Sequence, residues 1–204
     1  MFAINAVQPS CFIAKSEVNG WPLIGMLCRR TQTIFIERDI RRDTMRINSQ
    51  AGAQLDIGED VVLFPEGTST DGTQVRHFHS SLFQSAIDRK TTVQPIVIRY
   101  HDGSGNHSND AAFIGDMNFM ESLQNVLSSP SLHVTLTLLA PLATQETNRR
   151  VLAAETQAVI STALAEQHAA LHATSSRTPG RTIFRSAYSL LLDPVFKFRK
   201  RHSG

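Results

Sequence analysis

Short apolar runs that alternate with polar stretches of helical spacing constrain this chain more than any other feature. The runs are "CFIA" from Cys11, "TIFIE" from Thr33, "VVLFP" from Val61, "VQPIVIRY" from Val93 and "LHVTLTLLAPL" from Leu132. They are rich in β-branched and aromatic residues and bounded by turn formers, so each reads as a buried strand. Pro95 within the fourth suggests an edge or bulge position. Between them lie helix patterns. Ile40, Met45, Ile47, Ala51 and Leu55 are spaced among charges as on a surface helix. "SSLFQSAID" fits a helix capped by Ser80 or Ser81. A short helix is expected over 117–127, before Ser128-Ser129-Pro130. A long one is expected over 147–170, with Leu152, Val159, Ala163 and Leu164 on one face. Gly and Pro in "VNGWPLIGMLCRR" mark a turn leading into another short helix. Strands alternating with helices predict an α/β fold, a mixed and largely parallel sheet flanked by helices.

The chain is large enough for one domain with a real core: 204 residues, 41% of them hydrophobic and 19% charged. A net charge of only +2 gives no global field for nucleic acid, so no nucleic-acid partner is expected. Cys11 and Cys28 lack metal-ligand spacing and read as reduced thiols. No apolar run reaches the ~18 residues of a membrane span. No metal site is expected. The domain is expected over 1–172. Residues 173–204 read as a linker, "TSSRTPGRT", and a basic amphipathic tail. Ile183, Phe184, Tyr188, Leu191 and Leu192 with "KFRKRH" suit either the interface of an anionic membrane or a terminal helix packed on the domain, with Pro194 breaking any single long helix.

Chemistry-bearing side chains gather where the runs end. Lys15 and Glu17 follow the first; they suit a ligand at a sheet edge or simply a solvated strand end. Arg38 follows the second. Its guanidinium fork suits phosphate, or an ion pair with Glu37, Asp39 or Asp43 at a helix start. The third ends in "PEGTSTDG". Pro65 fixes the backbone before Glu66, and Gly67 permits a sharp turn or close ligand approach. Thr68, Ser69 and Thr70 add hydroxyls. This stretch is either a decorated loop or a wall facing a substrate.

Taken in order, "AKSEVNGWPLIG", "TIFIER", "LFPEGTSTDG" and "VQPIVIRY" resemble the 1-acyl-sn-glycerol-3-phosphate (lysophosphatidic acid) acyltransferase family, over about Phe12 to Tyr100. The resemblance implies a glycerol-3-phosphate acyltransferase-like fold. It implies transfer of a fatty acyl group from acyl-CoA or acyl-carrier protein, as co-substrate and without a cofactor, to the free hydroxyl of a lysophospholipid. The acceptor implied is 1-acyl-sn-glycerol 3-phosphate. The setting implied is phospholipid biosynthesis at the cytoplasmic face of the inner membrane. By the same resemblance Arg38 takes the phosphate-binding position, with Lys15 assisting. Glu66 and Gly67 form the acceptor-binding motif, Thr68 orders their loop, and Pro95 packs near the acyl groove.

The family's base is a His followed after four residues by an Asp, with the carboxylate orienting the imidazole. His77, His79, His101, His107 and His133 are not followed by Asp at that spacing. The dyad is therefore expected upstream of Met1, with the N-terminal part of the domain missing and no catalytic residue in this chain. Two alternatives stand beside the main reading. One is a non-catalytic remnant that binds lipid head groups. The other is an acyltransferase for a different lyso-lipid, such as a lyso-ornithine lipid.

Overall fold

A computed structural model describes residues 2–21, 24–30, 33–36, 40–115, 117–174 and 195–199. The expected strands form: β1 (Cys11–Lys15), β2 (Ile34–Ile36), β3 (Val61–Leu63), β4 (Thr92–His101) and β5 (His133–Leu138). A further strand, β6 (Val195–Arg199), completes a sheet of order β2-β1-β3-β6-β4-β5. The helices are α1 (Phe2–Val7), α2 (Ile24–Arg30), α3 (Ile40–Asp56), α4 (Gln84–Asp88), α5 (Phe119–Ser128) and α6 (Arg149–Thr174).

The sheet is mixed, as its alternating pattern predicts. Parallel pairing joins β2, β1 and β3, while β6 runs antiparallel to β3 and β4, and β5 antiparallel to β4. Strand alternation splits the core in two. Cys11, Ile13, Val61, Leu63, Val93 and Val97 join one cluster with residues of α3 and α6. Phe12, Val62, Ile96, Ile98 and Tyr100 join a second with Ile4 of α1, Cys28 of α2 and Val126 of α5. The sheet is thus covered on both faces, which explains why its strands read as continuous apolar runs.

Helix starts and faces show where local reading falls short. In α3 the buried stripe is Ile47, Ala51 and Leu55, spaced by one turn, while Met45 is 84% exposed. In α6 Leu152, Thr156, Ile160 and Leu164 are buried and Val159 faces solvent. Neither Ser80 nor Ser81 caps a helix. Both lie in a 3-10 turn, Ser80–Phe83, that runs into α4 without a side-chain cap. Real caps stand elsewhere. Asn118 and Glu121 form a reciprocal capping box on α5, and Asn148 Oδ1 accepts from the N–H groups of Arg150 and Val151. At Gly25 a Cβ would meet the Asn19 carbonyl oxygen at 2.1 Å, so only glycine lets α2 abut the turn before it.

Pro95 is not on an edge strand, because β4 pairs with both β5 and β6. Its carbonyl accepts from the Leu139 N–H at 3.0 Å, just past the end of β5. An ordinary residue would return a bond to the Leu139 carbonyl, but proline has no N–H. The Gln94 side-chain amide donates to that carbonyl instead. The lost ladder bond is replaced from the neighbouring residue. β6 is the larger surprise. Residues 195–199, read from sequence as part of a tail, lie between β3 and β4. Residues 175–194, including Ile183 and Tyr188 of the proposed amphipathic face, lie outside the described residues.

Candidate active site

Strand direction assembles the site. Because β1, β2 and β3 are parallel, their C-terminal ends open on one edge of the sheet. Lys15 ends β1 in register with Ile36, which ends β2. Arg38 follows Ile36 in the chain and lies outside the described residues. Glu66 follows the end of β3 at Leu63. β3 and β4 both run antiparallel to β6, so they run the same way. The loop after β4 therefore opens on this edge as well.

The "PEGTSTDG" stretch is braced rather than loose. Gly67 has φ 66°, a left-handed conformation that a side chain would strain, and its N–H donates to the Phe64 carbonyl at 3.2 Å. The N–H of Gly72 donates to Thr70 Oγ1 at 3.1 Å. Asp71 Oδ1 accepts from both the N–H and the hydroxyl of Thr73, and these two bonds are the main cause of its lowered pKa. The bonds that order the loop thus come from Thr70 and Asp71. The Thr68 hydroxyl makes none among the described residues and is half-buried.

Glu66 is only 4% exposed. Oε2 accepts from the Arg76 N–H at 3.1 Å, and Oε1 is buried with no hydrogen-bond partner among the described residues. Burial pushes its carboxyl above the usual range, opposed by that N–H and by the Arg76 charge. An acceptor oxygen fixed in this way suits a donated hydroxyl, since buried polar atoms are ordinarily paired. Two more bonds hold the loop, one to itself and one to α6. His79 N–H donates to the Pro65 carbonyl at 2.8 Å, and Phe78 N–H to Gln157 Oε1 of α6 at 3.2 Å. Neither Arg76 nor Gln157 is given a role by its local sequence. Their bonds join residues 10 and 79 positions apart, and no local motif encodes such a separation.

The edge therefore brings together Glu66, Gly67 and Thr68 with the C-terminal ends of β1, at Lys15, and of β2, at Ile36. A cleft of about 340 Å³, between β2 and α3 and lined by residues including Phe35, Arg46, Gln50 and Gln54, holds none of Glu66, Gly67 and Thr68. Among the described residues no group of three or more His, Cys, Asp or Glu side chains could hold a metal ion. No described helix is long and apolar enough to cross a membrane.

Residues 1–99 match the Acyltransferase family model. A lyso-ornithine lipid O-acyltransferase of Pseudomonas aeruginosa is 36% identical over 161 residues, covering 79% of this chain and 62% of the relative. A 1-acyl-sn-glycerol-3-phosphate acyltransferase of Neisseria gonorrhoeae is 40% identical over 108 residues, covering 53% of this chain and 42% of the relative. A lyso-ornithine lipid O-acyltransferase of Rhodobacter capsulatus is 36% identical over 132 residues, covering 63% and 48%. The chain thus spans less than two thirds of the length of these curated relatives. No solved structure matches it. The ordered motifs, the sheet edge that gathers them and these similarities agree in relating residues 1–99 to the acyltransferase family.

Proposed function

We propose that this chain forms the acceptor side of a lysophospholipid acyltransferase. The enzyme moves a fatty acyl group from acyl-CoA or acyl-carrier protein to the free hydroxyl of 1-acyl-sn-glycerol 3-phosphate. The observation that carries the reading is Glu66: a buried carboxylate with one oxygen unpartnered among the described residues, fixed at the edge where β1 ends at Lys15 and β2 at Ile36. In this reading Oε1 accepts from the glycerol moiety and orients it. Lys15 and Arg38 hold the phosphate. The His of a His–Asp pair outside these residues removes the proton from the hydroxyl as its oxygen attacks the thioester carbonyl, whose oxygen gains charge. The C–S bond then breaks, the ester remains, and the proton passes from the His to the departing thiolate. The acceptor's acyl tail requires that the site meet a membrane surface, which we place at the cytoplasmic face of the inner membrane.

A second acceptor is supported by a specific finding. The similarity to a lyso-ornithine lipid O-acyltransferase extends over 161 residues, well beyond the acceptor motifs. The test is acyl transfer by the full-length protein, supplied with acyl-CoA or acyl-carrier protein and with either lyso-lipid. Turnover of lysophosphatidic acid supports the main reading. Turnover confined to lyso-ornithine lipid replaces it with the second, and transfer to neither refutes both.

A further inference from the structure

Residues 76–79 are held across the mouth of the glutamate loop by three backbone bonds to three different partners. Arg76 N–H is tied to Glu66, His79 N–H to Pro65 and Phe78 N–H to Gln157. Phe78 is the anchor, 1% exposed and packed in the core with Phe83 and Leu152. Around it the chain turns the neighbouring side chains outward. Arg76 and His77 are exposed and His79 is half-buried, with the two imidazole rings edge to face at 6.2 Å.

The Arg76 guanidinium makes no hydrogen bond or ion pair among the described residues. Several other described arginines are engaged. Arg46 donates to the Phe35 carbonyl, Arg89 pairs with Asp56, Arg99 donates to the Gly105 carbonyl and Arg149 to Gln84. Glu66 is buried and takes the Arg76 N–H rather than its guanidinium, and Asp71 is bonded to Thr73. A positioned cation is thus left facing outward beside the buried carboxylate. Its planar fork matches an oxyanion with two or three equivalent oxygens.

We propose that Arg76, flanked by His77 and His79, contacts the negatively charged head group of the acceptor lipid. This rests on the acyltransferase reading above and adds a residue to it. The shared chemistry is an oxyanion, either the phosphate of lysophosphatidic acid or the carboxylate of a lyso-ornithine lipid.

The test is equilibrium binding of the full-length protein to phosphatidylcholine vesicles. These carry lysophosphatidic acid, lyso-ornithine lipid or uncharged monoacylglycerol. Arg76→Ala is expected to weaken binding to at least one charged acceptor by about tenfold and to leave monoacylglycerol vesicles unaffected. Arg76→Lys should recover part of the loss. A loss confined to lysophosphatidic acid identifies the phosphate, and one confined to lyso-ornithine lipid identifies the carboxylate. Arg150→Ala, which removes an exposed charge on α6, should change nothing. The proposal is overturned by unchanged binding, by an equal loss on all three vesicles, or by an equal loss from Arg150→Ala. Binding needs no turnover, so an Arg76-dependent affinity in a protein that transfers no acyl group would refute the acyltransferase reading and not the contact.

Discussion

The two halves of the sheet are built on different rules. In β2-β1-β3 all strands point one way, so three loops meet at one edge and every sequence-predicted site residue follows or ends one of those strands. In β6-β4-β5 neighbours run in opposite directions. That half supplies the frame, and the loop after β4 opens on the same edge. Strand direction, more than any single motif, decides where the chemistry collects.

If the comparison is right, damage to the antiparallel half should cost stability. Tyr100 is 1% exposed beneath α1 and α5, and Tyr100→Ala should destabilise the fold by about 3–5 kcal/mol in urea unfolding. A cost below about 1 kcal/mol would show that β4 is not a central strand. A smaller effect is expected at Pro95. Replacing Gln94 by Leu leaves the Leu139 carbonyl without its donor, for a loss of about 1–3 kcal/mol by the same measurement. An unchanged midpoint would mean that the side-chain bond does not stand in for the missing N–H.

The smallest effect lies in the parallel half. The Glu66 carboxyl is raised by burial, so its stabilising contribution is complete below the ordinary carboxyl pKa. That contribution is lost as pH rises through the folded value. Glu66→Gln does not titrate, so its melting temperature should exceed that of the natural protein at neutral pH. The gap should close in acid. A gap independent of pH would place the Glu66 carboxyl in an ordinary aqueous environment.

The same division governs what the sequence disclosed. The parallel strands are short apolar runs with helices between them, and their ends carry "AKSE", "IER" and "PEGT", so both position and chemistry were local. The antiparallel half depends on distant partners. "VFKFR" alternates apolar and basic residues and follows a linker, so it read as a tail. Nothing within it names β3 or β4 as neighbours. Pro95 read as an edge marker because its compensation, Gln94 on Leu139, joins residues 45 positions apart. Arg76 escaped notice for a related reason. Its role beside Glu66 comes from a loop closed by Phe78 and Gln157, and the sequence shows only "VRHFHSS".

The most direct test of the central claim, that Glu66 orients the acceptor at this edge, compares Glu66→Ala with the natural full-length protein in acyl transfer to lysophosphatidic acid and lyso-ornithine lipid. The expected loss of kcat/KM is about a hundredfold or more on the lipid that is the natural substrate, with circular dichroism unchanged. Unaltered turnover by a folded Glu66→Ala protein would contradict it.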